Sequence, residues 1–130
     1  MRYMAPERFL GNQSVASDLY SLGATLYELC IQSPPFDHEN RDALVAQILE
    51  QRPVAPRTIC QEIPRGLETI ILNCLEKHPA DRYSSADTLL ADLLRFTRGQ
   101  SISSTRRMSF GGFFRRLTNR LSKRQSPAED

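Results

Sequence analysis

Cys30, Cys60 and Cys74, His38 and His78, the neighbours Asp81 and Arg82, and the carboxylates Glu7 and Asp18 are the residues whose types invite a chemical reading. A zinc site needs ligands at short recurring spacings such as Cys-x-x-Cys, and three cysteines and two histidines at these positions supply none. The cysteines read as reduced thiols of a cytosolic protein. The histidines stand alone in or beside turns, with no paired nucleophile or metal spacing. A single Glu such as Glu7 ordinarily faces solvent. Asp18 lies where a helix starts, a dipole contact worth about 0.3–1 kcal/mol. Spacing alone therefore gives no catalytic, cofactor-binding or metal-binding set.

The elements that would position these residues are all helical. The sequence organises itself around residues 17–30, where Leu19, Leu22, Leu26 and Leu29 recur at helical spacing with Tyr20, Ala24, Tyr27 and Cys30 in the adjoining rows. Ser17 is the expected cap, and the apolar residues nearly all round predict a buried central helix. Pro6 suits one helical turn over residues 6–10, broken by Gly11 and Asn12. Pro34 and Pro35 stop the central helix, and Phe36 anchors the loop that follows. Helix 41–51 carries Leu44, Val45, Ile48 and Leu49 on one face, with Asn40 as cap. Residues 52–63, with Pro53 and Pro56, are expected to run extended over the surface. Helix 65–77 follows, marked by Leu67, Ile70, Ile71, Cys74 and Leu75, with Lys77 and His78 near its negative end. In the last helix Ser84 is the expected cap and Asp87 its capping-box partner. Ala86, Leu89, Leu90, Leu93, Leu94 and Phe96 point inward there, and Gly99 ends it.

Three motifs stand in order along this framework: Tyr3-Met4-Ala5-Pro6-Glu7, then Asp18-Leu19-Tyr20-Ser21-Leu22-Gly23, then His78-Pro79-Ala80-Asp81-Arg82-Tyr83. Together they resemble the C-terminal lobe of Ser/Thr protein kinases, in the style of the eukaryotic-like kinases of bacteria. The resemblance covers residues 1 to about 98 and implies an all-α C-terminal kinase subdomain built on one buried helix. It implies structural roles for Glu7 and Arg82 as an ion pair, and for Asp18 and Gly23 in the central helix. In the family that Asp holds the backbone of the catalytic loop, and Asp81 lies in a turn of structural contacts, so it is no substitute base. A Gly usually precedes the Pro-Pro-Phe stretch in kinases, where this chain has Gln32 and Ser33. The resemblance also implies apolar surface at Leu19, Leu22 and Leu26, where the rest of a kinase would pack.

A kinase also needs a Gly-rich loop, a phosphate-facing Lys, a catalytic Asp and metal-binding residues. No Gly-x-Gly-x-x-Gly, His-Arg-Asp or Asp-Phe-Gly occurs in these 130 residues. The family places all of them before the Pro6-Glu7 motif, so Mg-ATP belongs to the intact family and no cofactor is expected for this chain. Whether the sequence is a fragment, a mis-called start or the relic of a split gene stays open.

Composition divides the chain in two. Residues 1–98 hold 10 Lys+Arg against 13 Asp+Glu, whereas residues 99–130 hold 7 against 2. The second region, rich in Ser and Arg, reads as a largely disordered basic tail when free. Within it Phe113, Phe114, Leu117 and Leu121 could form an apolar stripe among arginines, suited to an anionic membrane or an acidic partner. Ser109, after Arg106 and Arg107, resembles a basophilic kinase substrate site. No motif for specific nucleic-acid reading accompanies the charge. The N-terminus has no signal-peptide layout and no apolar run has membrane-span length, so the expected location is cytoplasmic, with membrane contact only at the periphery. Two readings follow: part of a Ser/Thr kinase, or a non-catalytic helical interaction module whose exposed lobe surface and basic tail meet partners.

Overall fold

Ser14 starts the central helix, three residues ahead of the expected Ser17. Its backbone is extended, and its N–H donates to Ser17 Oγ at 3.1 Å. The helix α1 spans Val15–Ile31. Ser17 is buried as the third residue of the helix rather than its cap: its Oγ accepts from Ser14 as the reciprocal half of a capping box and donates to Glu7 Oε1 at 2.8 Å. This computed structural model describes residues 1–103; the tail residues Ser109, Phe113, Phe114, Leu117 and Leu121 lie outside them.

The other elements follow in chain order: a 3-10 turn Pro6–Leu10 before α1, then α2 Arg41–Glu50, α3 Pro56–Ile59, α4 Arg65–Cys74, a 3-10 turn Pro79–Asp81, and α5 Ala86–Thr97. The described residues are all-α, with no strand among them. Residues 52–63 depart from the extended run expected of them. Pro56 is buried and opens α3, whose first backbone N–H, that of Arg57, donates to Glu68 Oε2 at 2.7 Å. Arg57 Nη1 also closes the loop onto the Ile63 carbonyl at 3.1 Å.

Helix α1 is central but not buried all round. Leu19, Tyr20, Gly23, Ala24 and Tyr27 face inward, while Val15, Leu22 and Leu29 are exposed. Of the apolar surface expected at Leu19, Leu22 and Leu26, only Leu22 is open. Leu19 is buried in a cluster with Ile70, Cys74, Tyr83 and Leu89, and Leu26 is half-buried beside Tyr20, Ala24 and Ile71. The tightest crossing is between α1 and α4, where a Cβ at Gly23 would collide with the Cβ of Cys74. That contact, deep in the core, excludes every other residue type from position 23 without a backbone shift. Beyond the break, Phe36 packs with Leu44, Ile48 and Phe9 in a third cluster.

Two helix ends differ from expectation. Helix α4 stops at Cys74, so Lys77 and His78 lie past its end; Lys77 instead donates to the Ile48 carbonyl at 2.6 Å, near the C-terminal end of α2. Its ammonium also lies 4.3 Å from the centroid of the Phe36 ring. The cap of α5 is Ser85, not Ser84, and its partner is Thr88, not Asp87: Thr88 N–H donates to Ser85 Oγ, and Ser85 N–H to Thr88 Oγ1, each at 3.2 Å. This register turns Leu89, Leu93 and Phe96 toward α4, and Ala86, Leu90 and Leu94 outward, contrary to the inward face expected of all six. Gly99 then turns the chain back at φ 70°, and Ile102 is buried in the same cluster. The packed region therefore continues past residue 98.

Candidate functional site

Glu7 lies in one short 3-10 turn and Arg82 directly follows another, each beginning with a proline. Pro6 and Pro79 fix φ and forgo an N–H that the first turn leaves unpaired anyway. The first turn closes through Gly11 at φ 84°, a left-handed conformation that Gly adopts without cost. Glu7 is thus held against the start of α1. Arg82 follows the second turn with extended backbone, and its side chain, 0% exposed, runs inward to meet Glu7.

All five N–H groups of Arg82 are engaged. Nη1 donates to Glu7 Oε1 at 2.7 Å and to the Ala16 carbonyl at 2.9 Å; Nη2 donates to Glu7 Oε2 at 2.9 Å and to the Lys77 carbonyl at 3.2 Å. Nε donates to the Glu76 carbonyl at 2.8 Å. The Tyr20 ring lies 5.0 Å from the guanidinium carbon. Burial pushes the Glu7 carboxyl up, but hydrogen bonds from Arg82, its own backbone and Ser17, with the Arg82 charge, bring it below the ordinary carboxylate range. The pair is a charge-neutral clamp between the first turn, α1 and the turn before α5. Neither member is available as an acid or base.

The remaining candidates do not gather around this clamp. Asp18 is exposed in the first turn of α1, and Asp81 is exposed in the second 3-10 turn. Gly23 serves the helix crossing. His38 Nδ1 accepts the Asn40 backbone N–H at 2.9 Å, a local turn contact. Cys74 is buried, which pushes its thiol up to about 12, and Cys30 and Cys60 are half-buried free thiols. A shallow cleft is lined by Arg2, Asp37, His38 and Glu39. Its guanidinium is already paired to Asp37 at 2.8 Å and two carboxylates line it, so it does not fit a nucleotide triphosphate.

Three features escaped the sequence. Ser17 links Glu7 to α1. Tyr3 Oη donates to Glu28 while its carbonyl accepts from Ser21 Oγ at 2.7 Å, fastening the N-terminal segment along α1. Asp92, apparently one more acid on an amphipathic helix, is fully buried with Tyr83 and Ser103 as partners. Only the Ser-x-x-Ser spacing of Ser14 and Ser17 offered a signal; the other two are tertiary.

Residues 1–94 match the family described as "Protein kinase domain". A probable serine/threonine-protein kinase of Streptomyces coelicolor is 38% identical over 108 residues, covering 82% of this chain and 16% of that protein. The serine/threonine-protein kinase PknB of Mycolicibacterium smegmatis is 36% identical over 101 residues, covering 77% and 16%. PknB of Mycobacterium tuberculosis is 33% identical over 100 residues, covering 76% and 16%. The chain thus spans about a sixth of the length of these relatives. Both partners of the buried clamp, Glu7 and Arg82, fall inside the matched stretch, which takes in most of the sequence, and the chain belongs to the protein kinase domain family.

Proposed function

We propose that this chain forms the C-terminal part of a serine/threonine protein kinase domain, from the Ala5-Pro6-Glu7 motif onward, and that it contributes scaffold rather than phosphoryl chemistry. The family match over residues 1–94 carries the reading. In the intact kinase, phosphate would pass from Mg-ATP to a protein Ser or Thr hydroxyl, a reaction that rests on positioning and charge neutralisation. The Gly-rich loop, the Lys and the catalytic and metal-binding Asp that perform those tasks have no counterpart among the 130 residues. On this reading Asp18, at the exposed start of α1, faces the catalytic segment of the intact kinase domain, and the protein works in the cytoplasm. No helix among the described residues is long and apolar enough to cross a membrane.

A second reading, a non-catalytic helical interaction module, is favoured by Leu22 and Leu29, which are 42% and 73% exposed on the central helix. One experiment separates catalysis from scaffold: radiolabelled phosphate transfer from Mg-ATP to a basic protein by the purified chain, with ATP titration calorimetry alongside. The expected result is no transfer above a heat-killed control and no tight nucleotide binding. Transfer abolished by Asp81→Asn would overturn the proposal.

A further inference from the structure

Asp92 is a carboxylate with no exposed surface, set on the inner face of α5. Tyr83 Oη donates to its Oδ2 at 2.8 Å and Arg95 Nη1 to its Oδ1 at 2.9 Å. Two further donors come from one residue beyond the helix: the backbone N–H and the Oγ of Ser103 both reach Oδ1 at 2.9 Å. Ser103 arrives there because residues 99–103 fold back as a strap. Gly99 makes the turn, the Gln100 N–H donates to the Arg95 carbonyl at 2.8 Å, and Ile102 is buried beside Gly66 and Phe96. An apolar plug, Ile102, and a serine, Ser103, thus hold the strap against α5 and α4.

We propose that Ser103 is a phosphorylation site whose modification unfastens this strap. The residue is exposed apart from its bond to Asp92, so a modifying enzyme reaches it once the strap swings off. A serine/threonine protein kinase supplies a nucleoside triphosphate. Ser103 Oγ then bonds to the γ-phosphorus, the bond from that phosphorus to the bridging oxygen breaks, the nucleoside diphosphate leaves, and the hydroxyl proton passes to the kinase's base. This step does not depend on any catalytic role for the chain itself.

The phosphate cannot take the hydroxyl's place. Phosphoserine carries a charge of about −1.5 to −2 at neutral pH, and its esterified Oγ no longer donates to Oδ1. Burial alone would push the Asp92 carboxyl up, but in the closed strap hydrogen bonds from Ser103, Tyr83 and Arg95 hold it well below the usual range, and Tyr83 and Arg95 still donate to it when the strap is off. Tyr83 and Arg95 pin both of its oxygens, leaving it no room to turn away. The Arg95 guanidinium is already paired with the Asp92 carboxylate at 2.9 Å. Reclosure is therefore blocked, Ile102 stays out, and the apolar slot beside Gly66 and Phe96 is uncovered.

The test installs phosphoserine at position 103 of the full chain and reads amide hydrogen exchange at residues 102 and 103, against the unmodified chain and Ser103→Ala. Ser103→Ala deletes one donor only. The phosphoserine chain is expected to lose protection about tenfold or more beyond Ser103→Ala, from like-charge repulsion. That excess is expected to shrink when Asp92→Asn removes the facing charge. Equal protection in the phosphoserine and Ser103→Ala chains, or an undiminished excess with Asp92→Asn, would overturn the proposal. Should Asp92→Asn fail to fold, Ser103→Glu against Ser103→Gln compares the same shape with and without charge. Lower protection in Ser103→Glu supports the latch, and equal protection refutes it.

Discussion

Arg82 and Glu7, 75 residues apart in sequence, meet through two parallel N–H to oxygen bonds at 2.7 and 2.9 Å in a site where the arginine side chain has no exposed surface. The fork geometry matters as much as the charge, because the other guanidinium donors are taken by three backbone carbonyls.

Arg82→Ala leaves a largely buried carboxylate with Ser17 as its only side-chain donor, and three carbonyls without the guanidinium, and is expected to cost about 3–5 kcal/mol. Arg82→Lys is not expected to restore more than a minor part, since a point charge cannot reproduce the fork. Urea unfolding of the three chains measures both statements. Unchanged stability in Arg82→Ala would mean that the clamp contributes nothing.

The same pair sets an acid limit. Glu7 has a lower carboxyl pKa folded than unfolded, so its contribution is fully present above the ordinary carboxylate value and is lost as pH falls through the lowered folded value. Asp92 shifts in the same direction and adds to the loss. Wild type should therefore lose more stability between about pH 6 and pH 3 than Glu7→Gln, which carries one fewer titrating group. Parallel pH profiles for the two chains would contradict the assignment.

The fold class and the clamp were legible because they rest on local signals: helical spacing in α1, α2 and α4, the prolines opening each 3-10 turn, and motifs whose order implied the Glu7–Arg82 pair. The rest was decided by packing. Ser14 and Ser17 are equivalent as caps in sequence, and only Glu7, recruiting the Ser17 hydroxyl, separates them. Ser84 and Ser85 are equally tied, and the burial of Leu89 and Asp92 selects Ser85. Leu90 and Leu94 looked like core because an apolar side chain does not reveal which face a neighbour covers.

Among the described residues Gln32 is the non-glycine residue with positive φ, 65°, where α1 ends and its N–H still donates to the Glu28 carbonyl at 2.7 Å. The sequence marked this stretch as lacking the family's glycine, and the structure shows the left-handed backbone that a glycine would satisfy. Gln32→Gly is expected to stabilise the chain by about 0.5–1 kcal/mol, relief of the left-handed strain exceeding the added freedom of the unfolded chain. A lower thermal midpoint in Gln32→Gly would refute this.

Gly23 stands for the opposite constraint, space rather than backbone. Gly23→Ala forces α1 away from Cys74 and is expected to cost about 1–3 kcal/mol, although alanine is the better helix former. Pairing it with Cys74→Gly clears the opposing Cβ, so the double variant should lose less than the two single losses added together. Simple additivity in thermal unfolding would place the strain elsewhere.

The proposed kinase role is tested most directly by transplantation. Residues 1–98 would replace the matched segment of the Mycolicibacterium smegmatis PknB kinase, with and without Arg82→Ala, and phosphate transfer to a basic protein would be measured in chimeras that pass a thermal-unfolding check. A chimera that transfers phosphate, and loses both stability and transfer with Arg82→Ala, is the predicted result. A folded chimera that transfers none would contradict it.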